Sequence, residues 1–121
     1  MNKVILTGIV KSDIEFKKKE DSIPIARYIL IVNRPFNPYQ TIPTDYIECV
    51  AFGNDAEFAK KYFRPGNKIA ITGHIQTRSC TNKYGLKAYT TNVVVEEQQC
   101  IGIEANVSFN SNQNQDEFLF E

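Results

Sequence analysis

Asp45-Tyr46-Ile47-Glu48-Cys49-Val50-Ala51-Phe52, followed by Gly53, reads as a strand that can be split by face. Successive side chains of a strand point to opposite sides. Ile47, Cys49 and Ala51 then share an apolar inward side. Tyr46, Glu48, Val50 and Phe52 share the other, where a carboxylate belongs in water. Two aromatics are thereby expected on an outward face.

Upstream, residues 3–11 form a first strand and residues 23–33 a second, in which Ile25, Arg27, Ile29 and Ile31 alternate with Ala26, Tyr28, Leu30 and Val32. Pro35, Pro38 and Pro43 mark the loop that follows, because proline cannot donate to a sheet ladder. Downstream, Asn54 with Glu57 three residues on suggests a capped helix with an apolar stripe of Ala59, Tyr62 and Phe63, stopped by Arg64-Pro65-Gly66. A fourth strand over residues 68–77 is expected to bury Ile69, Ile71 and Ile75. A turn over residues 81–85 leads to a fifth over residues 86–95, whose faces the pattern leaves open. Five short strands with one helix between the third and fourth is the element order of an all-β, five-stranded OB-fold barrel. The domain is placed at residues 1–104. Residues 105–121 follow as a polar linker and acidic C-terminal tip, expected to be disordered because their Asn, Ser and Gln bury too little surface to order.

A chain of 121 residues suits one such domain. No apolar run approaches the ~18–20 residues of a membrane span, and the opening residues turn polar too soon for a secretory signal. Cys49, Cys80 and Cys100 form no CxxC pair and no pattern with His74, which argues against a disulfide scaffold and a zinc site. Reduced thiols, a cytoplasmic location, and no metal or cofactor are expected. The zero net charge conceals an asymmetry. All 14 Lys and Arg lie between Lys3 and Lys87 and face eight acids there, so the body through Val95 carries +6; the six acids from Glu96 onward carry −6. A basic body points to a polyanion ligand, with the acidic tail doing something separate.

Four stretches, NKVILTG at residues 2–8, DYIECVAFG at 45–53, AKKYFRPGNKIAITGHIQTR at 59–78 and KAYTTNVVVE at 87–96, are similar in order and spacing to the bacterial and phage single-stranded DNA-binding proteins. The resemblance covers nearly all of residues 2–97. It implies an OB fold, a homo-oligomer with the tetramer favoured, and binding of single-stranded DNA without sequence reading in replication, recombination and repair. It also implies recruitment of replication and repair proteins through an acidic tip, here Asp116, Glu117, Phe118, Leu119 and Phe120. This tip departs from the family's pattern: no Pro is present and Glu121 follows the final Phe. Phe36, Tyr46 and Phe52 fall where the family stacks bases. Cys80 falls where another aromatic is common, and since a thiol cannot stack, Tyr84 nearby is the substitute considered.

Single strands expose a charged backbone and unpaired base faces. Aromatics supply stacking partners and Lys or Arg neutralise phosphates. The phosphate candidates are Lys3, Arg27, Arg34, Lys61, Arg64, Lys68, Arg78, Lys83 and Lys87, with Arg34 and Arg78 ranked first. Structural readings stand beside these. Phe52 suits a core as well as a surface, Phe36 between its prolines could anchor its loop, and Lys17–Lys19 beside Glu20 and Asp21 reads as a solvated turn. His74 reads as an ordinary surface residue.

No catalytic residues are assigned. Phosphodiester hydrolysis needs carboxylates converging on a metal, or a His with a nucleophile, and the body acids are scattered. Two binding alternatives remain: a primosomal or phage accessory OB-fold module with weaker or RNA-directed binding, and an oligosaccharide-binding barrel, which leaves the basic body unexplained.

Overall fold

The computed structural model describes residues 1–103 apart from Gln40 and Ile42. The tip residues Asp116, Glu117, Phe118, Leu119 and Phe120 lie outside the described residues. The elements are β1 (Val4–Val10), β2 (Glu15–Lys17), β3 (Ile25–Asn33), β4 (Thr44–Phe52), α1 (Asn54–Tyr62), β5 (Asn67–Thr81) and β6 (Lys87–Ile103). Strands pair in the order β1-β5-β6-β4-β3-β2, and a further pairing of β1 with β3, Ile9 opposite Ile31 and Val10 opposite Leu30, closes the ring. Four pairings around that ring are antiparallel; β4 and β6 run parallel at Cys49–Val93 and Val50–Val94. Five strands thus close an OB-fold barrel.

The short β2 was not foreseen. It pairs with Ile25–Arg27 of β3, on the edge that β1 leaves uncovered. Lys17 therefore belongs to a strand rather than to the expected turn, and Lys18 reaches Glu57 at 4.0 Å. With β2 counted, the helix stands between β4 and β5.

Inward positions fill the barrel: Val10, Ala26, Tyr28, Leu30, Cys49, Ala51, Ile69, Ile71, Val93 and Val95 are buried. Helix α1 closes one end through Ala56 and Ala59, with Phe63 beyond its C-terminus meeting Tyr28 edge-on at 5.8 Å between ring centroids. The buried Tyr28 hydroxyl donates to Gln98 Oε1 at 2.9 Å, and Gln98 Nε2 donates to the Asp55 carbonyl at 2.6 Å. A polar group is thereby satisfied inside an otherwise apolar core. Burial pushes the Tyr28 phenol well above its ordinary range and the Cys49 thiol up to about 12. Cys49 is accordingly a packing residue.

Two expectations fail locally. Asn54 does not cap α1. The helix starts one residue earlier, where Gly53 at φ 65 accepts backbone bonds from Ala56 and Glu57 through its carbonyl, and no side chain caps it. Ile75 is not core either; it is 46% exposed. The register of β1 on β5 ends at Val4–Gly73, and β4 meets β6 only at Val93 and Val94. Beyond that point, among the described residues, β5 and β6 pair only with each other, from Gln76–Asn92 to Thr81–Lys87, as a two-stranded arm. Ile75 has the inward parity but lies at the barrel's rim, past the end of β1 and opposite the last residue of β6 that β4 pairs. The Asn2 side chain brackets its backbone, donating to Ile75 O and accepting from Ile75 N, both at 2.8 Å.

Where arm and barrel meet, β6 carries a bulge. Thr72 faces Glu97 and Gly73 faces Val95, leaving Glu96 as the extra residue. Strands approach so closely there that a Cβ on Gly73 would stand 2.1 Å from the Val94 carbonyl oxygen.

Candidate nucleic-acid interface

The alternation in β4 holds. Tyr46 is 62% exposed and Phe52 39%, at opposite ends of the outward face. Six residue steps along the strand separate them, about 20 Å. In register beside them, β3 contributes Ile31 opposite Tyr46, Ile29 opposite Glu48, Arg27 opposite Val50 and Ile25 opposite Phe52. Directly paired residues share a face, so this face has an apolar floor, aromatics at both ends and one charged pair between them. Val50 points outward as expected but is buried, set between Arg27 on β3 and Val94 on β6. Glu48 Oε1 accepts from Asn92 Nδ2 at 3.0 Å, and its Oε2 lies 3.8 Å from Arg27 Nη1. Lys11 places its ammonium 5.5 Å from the centre of the Tyr46 ring.

The arm extends this face. Asn92 bonds to Glu48 and is thus on the outward side, and Gln76–Asn92, Arg78–Thr90 and Cys80–Ala88 are cross-strand pairs of one parity. Arg78 and the exposed Cys80 therefore continue the surface that begins at Phe52. At the tip, Asn82 Oδ1 accepts from the backbone of Tyr84 and Leu86, with Gly85 at φ 80 completing the turn. Tyr84 is 75% exposed there, with Lys83 Nζ 5.2 Å from its ring centre. The loop between β3 and β4 presents Phe36, 92% exposed, together with Tyr39. Its base is clamped. Arg34 donates twice to Asp45, at 2.9 and 2.7 Å, and its backbone N–H donates to Pro43 O at 2.8 Å.

Comparison with known proteins assigns the family. The model of the single-strand binding protein family matches residues 1–101. The chain belongs to that family. It is 37% identical over 117 residues to the single-stranded DNA-binding protein of Clostridium perfringens, covering 92% of this chain and 76% of that protein. Single-stranded DNA-binding protein 1 of Streptococcus pyogenes is 36% identical over 102 residues, 84% of this chain and 78% of that one. Single-stranded DNA-binding protein 3 of Listeria innocua is 32% identical over 120 residues, covering 97% and 75%. The single-strand binding protein family is one of DNA-binding proteins rather than enzymes.

Within this family member, the sequence-derived candidates separate into groups. Tyr46, Phe52 and Arg27 share the β3–β4 face, and Arg78 lies on its continuation. Phe36 stands in the adjoining loop; Lys83 and Tyr84 stand at the arm's tip. Lys87 lies on the reverse of the arm, opposite Thr81. Other cations are committed elsewhere. Lys3 Nζ sits 2.9 Å from Glu96 Oε1, whose other oxygen is 2.8 Å from His74 Nδ1, so His74 belongs to a polar cluster. Arg34 is paired with Asp45. That ion pair raises the arginine's pKa and holds the Asp45 carboxyl below its usual range. Arg64 donates to the Lys60 and Phe63 carbonyls as a helix C-terminal cap, and Lys61 lies over the Tyr62 ring at 5.3 Å. Lys68 faces Ile9 across β1 and β5, away from β4. Lys11, Tyr39 and Asn92 also stand at this surface and were not among the candidates. Lys11 was legible as the last residue of the first strand, whereas Asn92 needed the parallel β4–β6 register.

Proposed function

We propose that this chain binds and protects single-stranded DNA without reading sequence, in replication, recombination and repair. Tyr46, Phe52, Phe36 and Tyr84 serve as base-stacking rings, and Arg27, Arg78 and Lys83 serve as phosphate contacts. The observation that carries this reading is the outward face of β3 and β4, where two exposed rings flank an apolar floor and the arm prolongs the surface. Every base has a π-face, so stacking tolerates any sequence, at about 1–3 kcal/mol per base, a range itself drawn from single-strand-binding OB folds. Duplex DNA hides those faces. Lys3, Arg34, Lys61, Arg64, Lys68 and Lys87 then act as more distant phosphate contacts, at lower weight because of their intramolecular partners or their position.

The protein works as a homo-oligomer, the tetramer favoured, in the cytoplasm. Support for assembly comes from β1, whose edge opposite β5 has no strand partner from Val4 to Thr7 among the described residues, with Ile5 exposed beside it. Among the described residues no helix is long and apolar enough to cross a membrane. The acidic tip recruits replication and repair proteins, and no metal or cofactor takes part.

The test is fluorescence anisotropy of a labelled oligo-dT at low and high salt, with duplex of equal length as competitor. Tight, salt-sensitive binding that duplex does not displace supports the function. Weak binding shared equally with duplex would transfer the barrel to the accessory-module reading, which the thiol at Cys80 makes the nearest rival.

A further inference from the structure

Glu48 is an unexpected residue at the centre of a surface for a polyanion. Its side chain is 43% exposed, between the rings of Tyr46 and Phe52. Its position is built. Oε1 is tied to Asn92 from β6, and Oε2 leans toward Arg27 from β3 at a distance too long for a hydrogen bond. Asn92 is itself buried and turns its amide donor to the carboxylate, leaving its own oxygen buried without a partner among the described residues. A carboxylate has roughly four lone-pair sites. With one hydrogen bond made, acceptor capacity remains on the exposed side. Among the other outward residues of β3 and β4, Ile25, Ile29, Ile31, Val50 and Phe52 offer no side-chain hydrogen-bonding atom; Tyr46 has its hydroxyl, Arg27 only donors, and the polar pair Asn33–Thr44 lies on the far side of Tyr46 from Glu48.

We infer that Glu48 makes this stacking face selective for base type, favouring bases with an exocyclic amino group over thymine. The inference rests on the single-strand-binding function proposed above. Same-face neighbours on a strand are about 6.6 Å apart, so a base laid on Tyr46 can bring its Watson–Crick edge over Glu48. Cytosine and adenine present an amino donor there, and guanine presents an N–H and an amino group side by side. Thymine presents one N–H between two carbonyl oxygens, both repelled by the carboxylate. Acceptance of a cytosine amino group by Glu or Asp is an established base contact. The binding remains general, because stacking supplies most of it, but it is biased.

The experiment measures competition of oligo-dC and oligo-dT of equal length against a labelled mixed-sequence strand, for the natural protein and for Glu48→Gln. The amide keeps an acceptor for Asn92 and adds a donor that suits thymine. The dC:dT affinity ratio is expected to fall about fivefold in the variant, the lower end of one base-edge contact. A second measurement leaves the protein untouched: oligo-dC with dimethylated N4 groups, which removes the donors, is expected to lose the advantage of dC over dT. A ratio unchanged by both the substitution and the methylation would overturn the inference and leave single-strand binding intact. No binding of any strand by the natural protein would overturn both.

Discussion

Tyr46, Phe52 and Arg27 stand on one outward face of the barrel; Glu96, Glu97 and Lys3 stand on another, formed by β1, β5 and β6. The second face pairs Ile5 with Thr72 and Thr72 with Glu97, and Thr72 Oγ1 donates to Glu97 at 3.4 Å. Its cation, Lys3, is held by Glu96, which also holds His74. One fold therefore presents two surfaces of different character. The first leaves rings and arginines toward solvent over an apolar floor, while the second is acidic and internally bonded. On the function proposed above, a polyanion is drawn to the first and repelled by the second. On that reading, a cation's place in the basic body says less about DNA contact than the face on which it stands.

The most severe way to break the comparison is to destroy both faces together. Gly73→Ala places a Cβ against the Val94 carbonyl at the strand crossing from which arm and barrel diverge. Backbone cannot step aside as a flexible side chain can, so a loss of about 3 kcal/mol is expected, the upper end for overpacking. Urea unfolding would show it as a lowered midpoint, with DNA binding failing in parallel. A midpoint equal to that of the natural protein would mean the crossing is wider than described.

Breaking the first face alone should leave the fold intact. Tyr46→Ala removes an exposed ring and is expected to weaken oligo-dT binding by about 2 kcal/mol, ~30-fold, with melting little changed. Tyr46→Trp should bind at least as well as the natural protein. Lys18→Ala, just past the end of β2 and near Glu57, with β3 between it and β4, should change affinity less than about twofold. Equal small losses in Tyr46→Ala and Lys18→Ala would remove Tyr46 from the interface.

The face can also be sharpened. Cys80 shares its side of the arm with Arg78, and that side is continuous with Asn92 and Glu48. Cys80→Trp should therefore add a stacking platform and tighten binding by roughly 1 kcal/mol, about fivefold. No gain would show that the bound strand leaves the β4 face before reaching the arm.

These expectations also show how far the sequence could be read. The split of residues 45–52 into two faces was legible because period-two alternation is a local property, and the barrel followed from element order. Ile75 was misassigned because parity says which way a residue points but not where the barrel stops; that depends on the lengths of β1 and β4. The helix cap was misplaced because Gly53 solves the problem with backbone geometry, which leaves no side-chain signature. The commitments of Lys3 and Arg34 were invisible for a different reason. Glu96 lies 93 residues from Lys3, and it meets both Lys3 and His74 as the extra residue of a β6 bulge. The Arg34–Asp45 pair is nearer in sequence, yet only the closure of the loop between β3 and β4 brings its members together.

The smallest effect expected is on the second face, and it separates stability from binding. Bonds from Lys3 and His74 hold the Glu96 carboxyl below its ordinary value. A carboxyl whose folded value is depressed stabilises the protein above the unfolded value, near ~4.3, and loses that contribution as pH falls through the folded value. Glu96→Gln should therefore lower the melting temperature slightly at neutral pH, and the difference should vanish between about pH 5 and pH 3. Affinity for oligo-dT at neutral pH should stay within about twofold, because an exposed ion pair away from the strand contributes little. A marked gain in affinity on neutralising Glu96 would mean that the strand passes over this acidic face as well. The two faces would then be one continuous track with Glu96 as a repulsive point along it.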